Sequence, residues 1–195
     1  MRSIQDFLVS LPKAFNDEMK LGDSKIYIDP KYNEFQHRKM EAEILAVPEK
    51  HQTNAKVGDT LYFHHHVVIA GNGNGQKIED GVYVVRFDPD NSHYTQAYAF
   101  KCKDTGNIEL LSEWIFLNPE EQEKEEVTDS GIVMSTEKPS YNQYGYVLYD
   151  SPQTKEIGLK SGDKVMIVKN ADYEMNINDQ KVYRVHLDQI YAVLL

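Results

Sequence analysis

Two stretches about a hundred residues apart are written to one pattern. Val82-Tyr83-Val84-Val85-Arg86-Phe87-Asp88 and Val182-Tyr183-Arg184-Val185-His186-Leu187-Asp188 both read Val-Tyr-x-Val-x-apolar-Asp. Upstream of each lies a matching turn and apolar run. Lys56-Val57-Gly58-Asp59 leads into Thr60-Leu61-Tyr62-Phe63, and Lys160-Ser161-Gly162-Asp163 leads into Lys164-Val165-Met166-Ile167. Earlier still, Glu43-Ile44-Leu45-Ala46 matches Tyr146-Val147-Leu148-Tyr149, and Ile26-Tyr27-Ile28 is set against Ile115-Phe116-Leu117. Four blocks in one order, offset by about 89, 103, 104 and 100 residues, point to a duplicated unit. Each block is short, rich in β-branched and aromatic residues, and bounded by Gly-Asp, Asn-Asp or Pro, as half-buried strands are. The expectation is an all-β chain of two small barrels or sandwiches. The boundary is placed between the turn signal Asp104-Thr105-Gly106 and the strand around Trp114.

Residues 1–21 are assigned to an N-terminal helical extension. Ile4, Phe7, Leu8, Leu11, Phe15 and Met19 fall at helical spacing, Ser3 and Asp6 stand where a helix begins, and Pro12 breaks or kinks it. The first barrel is then 22–108 and the second 109–195. The copies differ mainly in loops, and the first, with its loop at Asp29 to Met40, is read as the degenerate, short-looped one.

Charge and composition exclude several classes. A net charge of −10 with no basic stripe argues against nucleic acid, whose binding rests on neutralising phosphates. No apolar run approaches the roughly 20 residues of a membrane span, and Asp6 interrupts where a secretory signal would stay apolar, so a cytoplasmic setting is expected. The single cysteine, Cys102, cannot close an internal disulfide or build a metal cage alone. There is no Gly-x-Ser-x-Gly elbow, no His-Glu-x-x-His helix and no readable Cys-His pair, so no catalytic residue is assigned and the chain is read as non-enzymatic. His64-His65-His66 is the best metal candidate. On a strand His64 and His66 share a face, but a third or fourth ligand is not indicated, so the reading is adventitious binding or plain surface imidazole, with no functional metal site and no cofactor. Gly71-Asn72-Gly73-Asn74-Gly75 lacks a following Lys-Ser or Lys-Thr and reads as a hairpin tip, not a phosphate cradle.

The second copy carries a long loop, about 118–142. It opens with the charged run Pro119-Glu120-Glu121-Gln122-Glu123-Lys124-Glu125-Glu126, too polar to order itself by burial. Ile132-Val133-Met134 then stand isolated between Ser130-Gly131 and the polar tract from Ser135 to Ser140. An apolar triplet on such a tether reads as a docking motif. The alternative is a barrel strand, which the acidic run before it and Pro139 after it disfavour.

In this order of features the chain resembles the GroES co-chaperonin family, whose members carry a strand, a mobile loop with a Gly-Ile-Val-Leu-like motif, an apolar strand, a Val-Gly-Asp turn with a further strand, and an apolar C-terminal pattern. Trp114 to Leu117, Gly131 to Met134, Gly145 to Leu148, Ser161 to Val165, Ile177 to Asp179 and Asp188 to Val193 follow it, whereas the first copy matches more loosely and has no Gly-Ile-Val triplet. The resemblance implies two tandem GroES-like barrels, and a co-chaperonin that caps an ATP-driven, GroEL-type chaperonin ring. Gly131, Ile132, Val133 and Met134 would bind the chaperonin, and ATP would be bound by that partner and not by this chain. It also implies a homo-oligomeric ring, expected to be a heptamer, with Trp114, Ile115, Phe116, Ile190, Tyr191, Ala192 and Val193 on the strands that pair between subunits. Duplicated plastid co-chaperonins are similar in plan. A virus-encoded member, acting in the host cytoplasm, would reconcile divergence with retained docking. The rival reading is a structural or assembly protein, for example of a viral particle, that reuses the barrel for self-association.

Overall fold

Two of the repeated blocks show why they are strands, since their side chains alternate between a wet and a dry side. In Val82–Val85 and Lys164–Ile167 every second residue is buried, the period of a strand with one face on a core. The computed structural model describes all residues except 22, 23, 28, 30–36, 69–75, 121–142, 179 and 195. It divides into two compact units, Met1–Glu113 and Trp114–Leu195.

The first unit contains β1 (Phe7–Ser10), β2 (Glu18–Leu21), β3 (Ser24–Tyr27), β4 (Glu41–Ala46), β5 (Thr60–Phe63), β6 (Lys77–Glu79), β7 (Val82–Val85), β8 (Ala97–Lys101) and β9 (Ile108–Leu110). Seven of these form one antiparallel sheet in the order β6-β7-β1-β4-β5-β8-β9, while β2 and β3 pair with each other as a separate hairpin. The second unit contains β10 (Trp114–Pro119), β11 (Tyr144–Val147), helix α1 (Pro152–Glu156), β12 (Lys164–Ile167), β13 (Tyr173–Ile177), β14 (Gln180–His186) and β15 (Ile190–Leu194). Its sheet runs β13-β14-β10-β11-β12-β15. The chain is thus nearly all-β, and apart from β9 the two sheets share one strand order. In neither does the described hydrogen-bond ladder close into a complete barrel.

The likeness extends to single hydrogen bonds. Ile44 donates its N–H to Asp59 O at 2.8 Å and Val147 to Asp163 O at 2.9 Å, while Gly58 and Gly162 donate back to Ile44 O and Val147 O. The two glycines sit at φ 93° and 91°, where a side chain is strained. One carboxylate oxygen of each aspartate accepts an amide three residues back, Lys56 at 2.8 Å and Lys160 at 3.0 Å. This Gly-Asp corner turns the chain onto β5 in one unit and β12 in the other.

The expected N-terminal helix is not formed. Phe7-Leu8-Val9 are all buried in β1, which lies mid-sheet between β7 and β4. A strand covered on both faces reads as a continuous apolar run, and over so short a stretch that run also satisfies helical spacing. Pairing supplies the decision. Val9 lies opposite Tyr83 and Ile44, and Leu117 lies opposite Tyr183 and Val147. The counterpart of Ile115-Phe116-Leu117 is therefore Phe7-Leu8-Val9, at an offset of about 108, and not Ile26-Tyr27-Ile28. Residues 1–21 belong to the first unit.

The first core gathers Phe7, Val9, Ile44, Leu61, Phe63, Val85, Phe87 and Ala97. In the second unit Ile115, Leu117, Val147, Val165, Ile167, Met175 and Val185 are equally buried. Each such side chain contributes roughly 1.5–3 kcal/mol. Helix α1 is only five residues long and is fixed by its start. Ser151 Oγ accepts the Thr154 N–H at 3.0 Å, and Thr154 Oγ1 accepts the Ser151 N–H at 2.8 Å. No helix among the described residues is long and apolar enough to cross a membrane.

Candidate docking and assembly surfaces

Strands β10 and β11 hold the two ends of the segment that bears the apolar triplet. They pair antiparallel, Asn118 opposite Tyr146 and Pro119 opposite Gly145, so the chain leaves and re-enters the sheet at neighbouring points. On the outgoing side the Glu120 N–H donates to Tyr144 O at 3.4 Å, and Glu120 Oε1 lies 2.5 Å from Lys164 Nζ. On the returning side Gln143 O accepts the Ile167 N–H at 2.8 Å. Lys164 Nζ also stands 5.4 Å and 5.8 Å from the ring centres of Tyr144 and Tyr146, within cation–π range. Its hydrogen bond to Glu120 holds the ammonium above the ordinary lysine range. Both roots are thereby fastened to β11 and β12. At the root the backbones approach closely, since a Cβ on Gly145 would lie 2.9 Å from Leu117 Cβ. Gly131, Ile132, Val133 and Met134 themselves lie outside the described residues.

The first unit has its own connection at the same place in the sheet, from β1 to β4. It occupies residues 11–40, against 120–143 in the second unit, so the expected short loop at Asp29 to Met40 is only the final part of a long one. The strand before this connection is β1 and not Ile26-Tyr27-Ile28, so the loop is longer than the sequence pattern suggests. The root repeats, since Met40 O accepts the Phe63 N–H at 2.9 Å as Gln143 O accepts that of Ile167. The β2–β3 hairpin stands within this connection, tied by Lys25 to Glu18 at 3.1 Å, with Ile26 and Tyr27 41% and 76% exposed.

The two sheets end differently. In the first, β8 is covered by β9, with Ala99 opposite Leu110 and Lys101 opposite Ile108. In the second, β15 pairs with β12 on one side and has no described strand on the other. Ile190 and Ala192 are half-buried, and Tyr191 and Val193 are exposed. An apolar edge of this kind is a template for another strand. Trp114, Ile115 and Phe116 lie in β10, an inner strand of the sheet, and are buried. They pair with His186, Val185 and Arg184 of β14, while the partners in β11 begin at Leu117. Trp114 packs on His186 at 4.8 Å and under the Arg184 guanidinium at 4.1 Å.

The cysteine sits half-buried beside the Asp104-Thr105-Gly106 turn. A hydrogen bond from Thr105 holds its thiol below the ordinary range. The histidines at 64–66 do not lie on a strand, because β5 ends at Phe63 and the chain turns at once.

These features define a protein of two antiparallel β units that offers a rooted connection and an open strand edge, surfaces suited to holding other chains. Residues 107–194 match the family model described as the chaperonin 10 Kd subunit. The match covers somewhat less than half of the chain and all of β9 to β15, so the second unit is similar to co-chaperonins of this family. No curated protein matches the chain.

Proposed function

We propose that the chain is a duplicated co-chaperonin whose second unit docks on an open, ATP-driven chaperonin ring of the GroEL type. The reading is carried by the family match over 107–194, and the docking element is Gly131 with Ile132, Val133 and Met134. Each apolar side chain buried in a partner's groove contributes roughly 1.5–3 kcal/mol. Ordering the flanking residues costs about 1–2 kcal/mol apiece, so one loop alone binds weakly. Capping therefore needs several loops on one ring, each raising the effective concentration of the next. The open edge of β15 supports such an assembly, and β9 on β8 supplies a template for how a further strand adds there. A heptamer is the expected ring, with nucleotide held by the chaperonin and the setting cytoplasmic, that of the host if the chain is viral.

Co-migration on native gels tests this. The chain should travel with chaperonin only when nucleotide is present, and Ile132→Glu should abolish that association while the circular dichroism spectrum is unchanged. A particle-building protein, the reading that the β15 edge alone would favour, assembles without chaperonin and ignores the substitution.

A further inference from the structure

His64, His65 and His66 follow directly on β5. Had the strand continued, the middle ring would point away from its neighbours. Instead a 3-10 turn closes over His65–Val67, and three residues complete one turn of such a helix. All three rings are drawn together. Their centres are 4.3 Å apart for His64 and His65, 4.4 Å for His64 and His66, and 4.1 Å for His65 and His66. One ring nitrogen from each lies within 4.8 Å of the other two.

The turn is anchored on both sides. The His64 N–H donates to Gln96 O at 2.9 Å, and the amides of Val67 and Val68 donate to the carbonyls of His64 and His65. Val67 and Val68 are fully buried in the first core, and His65 is 8% exposed. The His66 N–H donates to Nδ1 of His64 at 3.0 Å, which fixes that ring over the turn. Such a constellation is pre-positioned by the fold, and a buried central histidine is not what a merely solvated imidazole run requires.

We propose that His64, His65 and His66 form a binding site for a divalent transition metal, with three imidazole ligands and a fourth position for water or an external donor. Zinc is bound by imidazole at about 2.0–2.1 Å in tetrahedral geometry, which sets ligand nitrogens roughly 3.3 Å apart, so small rotations of the three rings close the site. Imidazole suits zinc, nickel and copper and discriminates against magnesium and calcium, which take oxygen ligands. Coordination through Nδ1 of His64 exchanges its hydrogen bond with the His66 amide for a metal bond. A bound ion then ties the start of the β5–β6 connection to the sheet and stabilises the first unit by mass action.

Calorimetric titration of the tag-free, chelator-stripped full chain with zinc chloride tests the site. One ion should bind per chain, with no heat from magnesium. His65→Gln and His66→Ala should each weaken binding on the order of tenfold or more, while His37→Ala leaves it unchanged. Replacing zinc by cobalt should give the visible absorption of a low-coordinate nitrogen site, lost in both variants. Because His65 is buried, unfolding by His65→Gln is checked by circular dichroism, and the exposed His66 gives an independent reading. Unchanged affinity in His65→Gln, or in His66→Ala, would mean adventitious binding and overturns the proposal, as would the absence of zinc binding.

Discussion

Phe7→Ala tests whether the N-terminus is a central strand of the first unit or a cover laid over it. Phe7 is fully buried, opposite Val85 on β7, with its ring edge-on to Phe87 at 5.2 Å. Truncating a core phenylalanine removes about 3–5 kcal/mol, of which the aromatic pair accounts for about 0.5–1.5 kcal/mol. Small domains hold only about 5–15 kcal/mol in total, so the first unit should become marginal. In urea, with a slope near 2 kcal/mol per molar, the midpoint should fall by about 2 M. Circular dichroism reports the sheet, and the single tryptophan, Trp114 in β10, reports the second unit by fluorescence. Ile4→Ala is the control, because Ile4 is 72% exposed and a surface change there should stay within about 0.5 kcal/mol. A Phe7→Ala shift no larger than that of Ile4→Ala would refute the strand assignment.

Gly145→Val should cost about 1–3 kcal/mol by overpacking, because its Cβ would meet Leu117 Cβ at 2.9 Å and Asn118 O at 3.1 Å. Thermal unfolding measures it. The two Gly-Asp corners should respond unequally. Asp59 is 4% exposed and accepts amides from both Lys56 and Lys103, at 2.8 Å and 2.9 Å, so Asp59→Ala should cost about 2–3 kcal/mol in denaturant titrations, and the wetter Asp163→Ala about 1 kcal/mol. At alkaline pH the second unit should weaken. Burial pushes the phenols of Tyr149 and Tyr183 up, so the unfolded chain ionises first. The stabilisation is complete below the unfolded value near pH 10 and is lost as pH rises through the folded values. Phenolate absorbance should rise as stability falls, and Tyr183→Phe should reduce the slope.

The sequence disclosed most where one residue type is required by one geometry. Gly58-Asp59 and Gly162-Asp163 were legible because the corner needs a positive φ and a carboxylate at fixed places. Val82–Val85 and Lys164–Ile167 were legible because one face is wet. Phe7-Leu8-Val9 was not, since a strand buried on both faces loses the alternation that distinguishes it from a helix. That one error also shifted the repeat onto Ile26-Tyr27-Ile28 and shortened the first loop. Nothing in three adjacent histidines announces the tight turn that gathers them. The pairing with β7 that places Phe7-Leu8-Val9 in a strand joins residues more than 70 apart, as Phe7 joins Val85, and local pattern carries no trace of it.

The most direct measurement is the mass of the particle formed with a GroEL-type chaperonin, by size-exclusion chromatography with light scattering, with and without ATP. A nucleotide-dependent complex is expected, in which one ring of this chain sits on the chaperonin, with Ile132→Glu leaving both partners at their separate masses. A chain that never joins the chaperonin under nucleotide, or an Ile132→Glu chain that joins it as well as the parent, would contradict it.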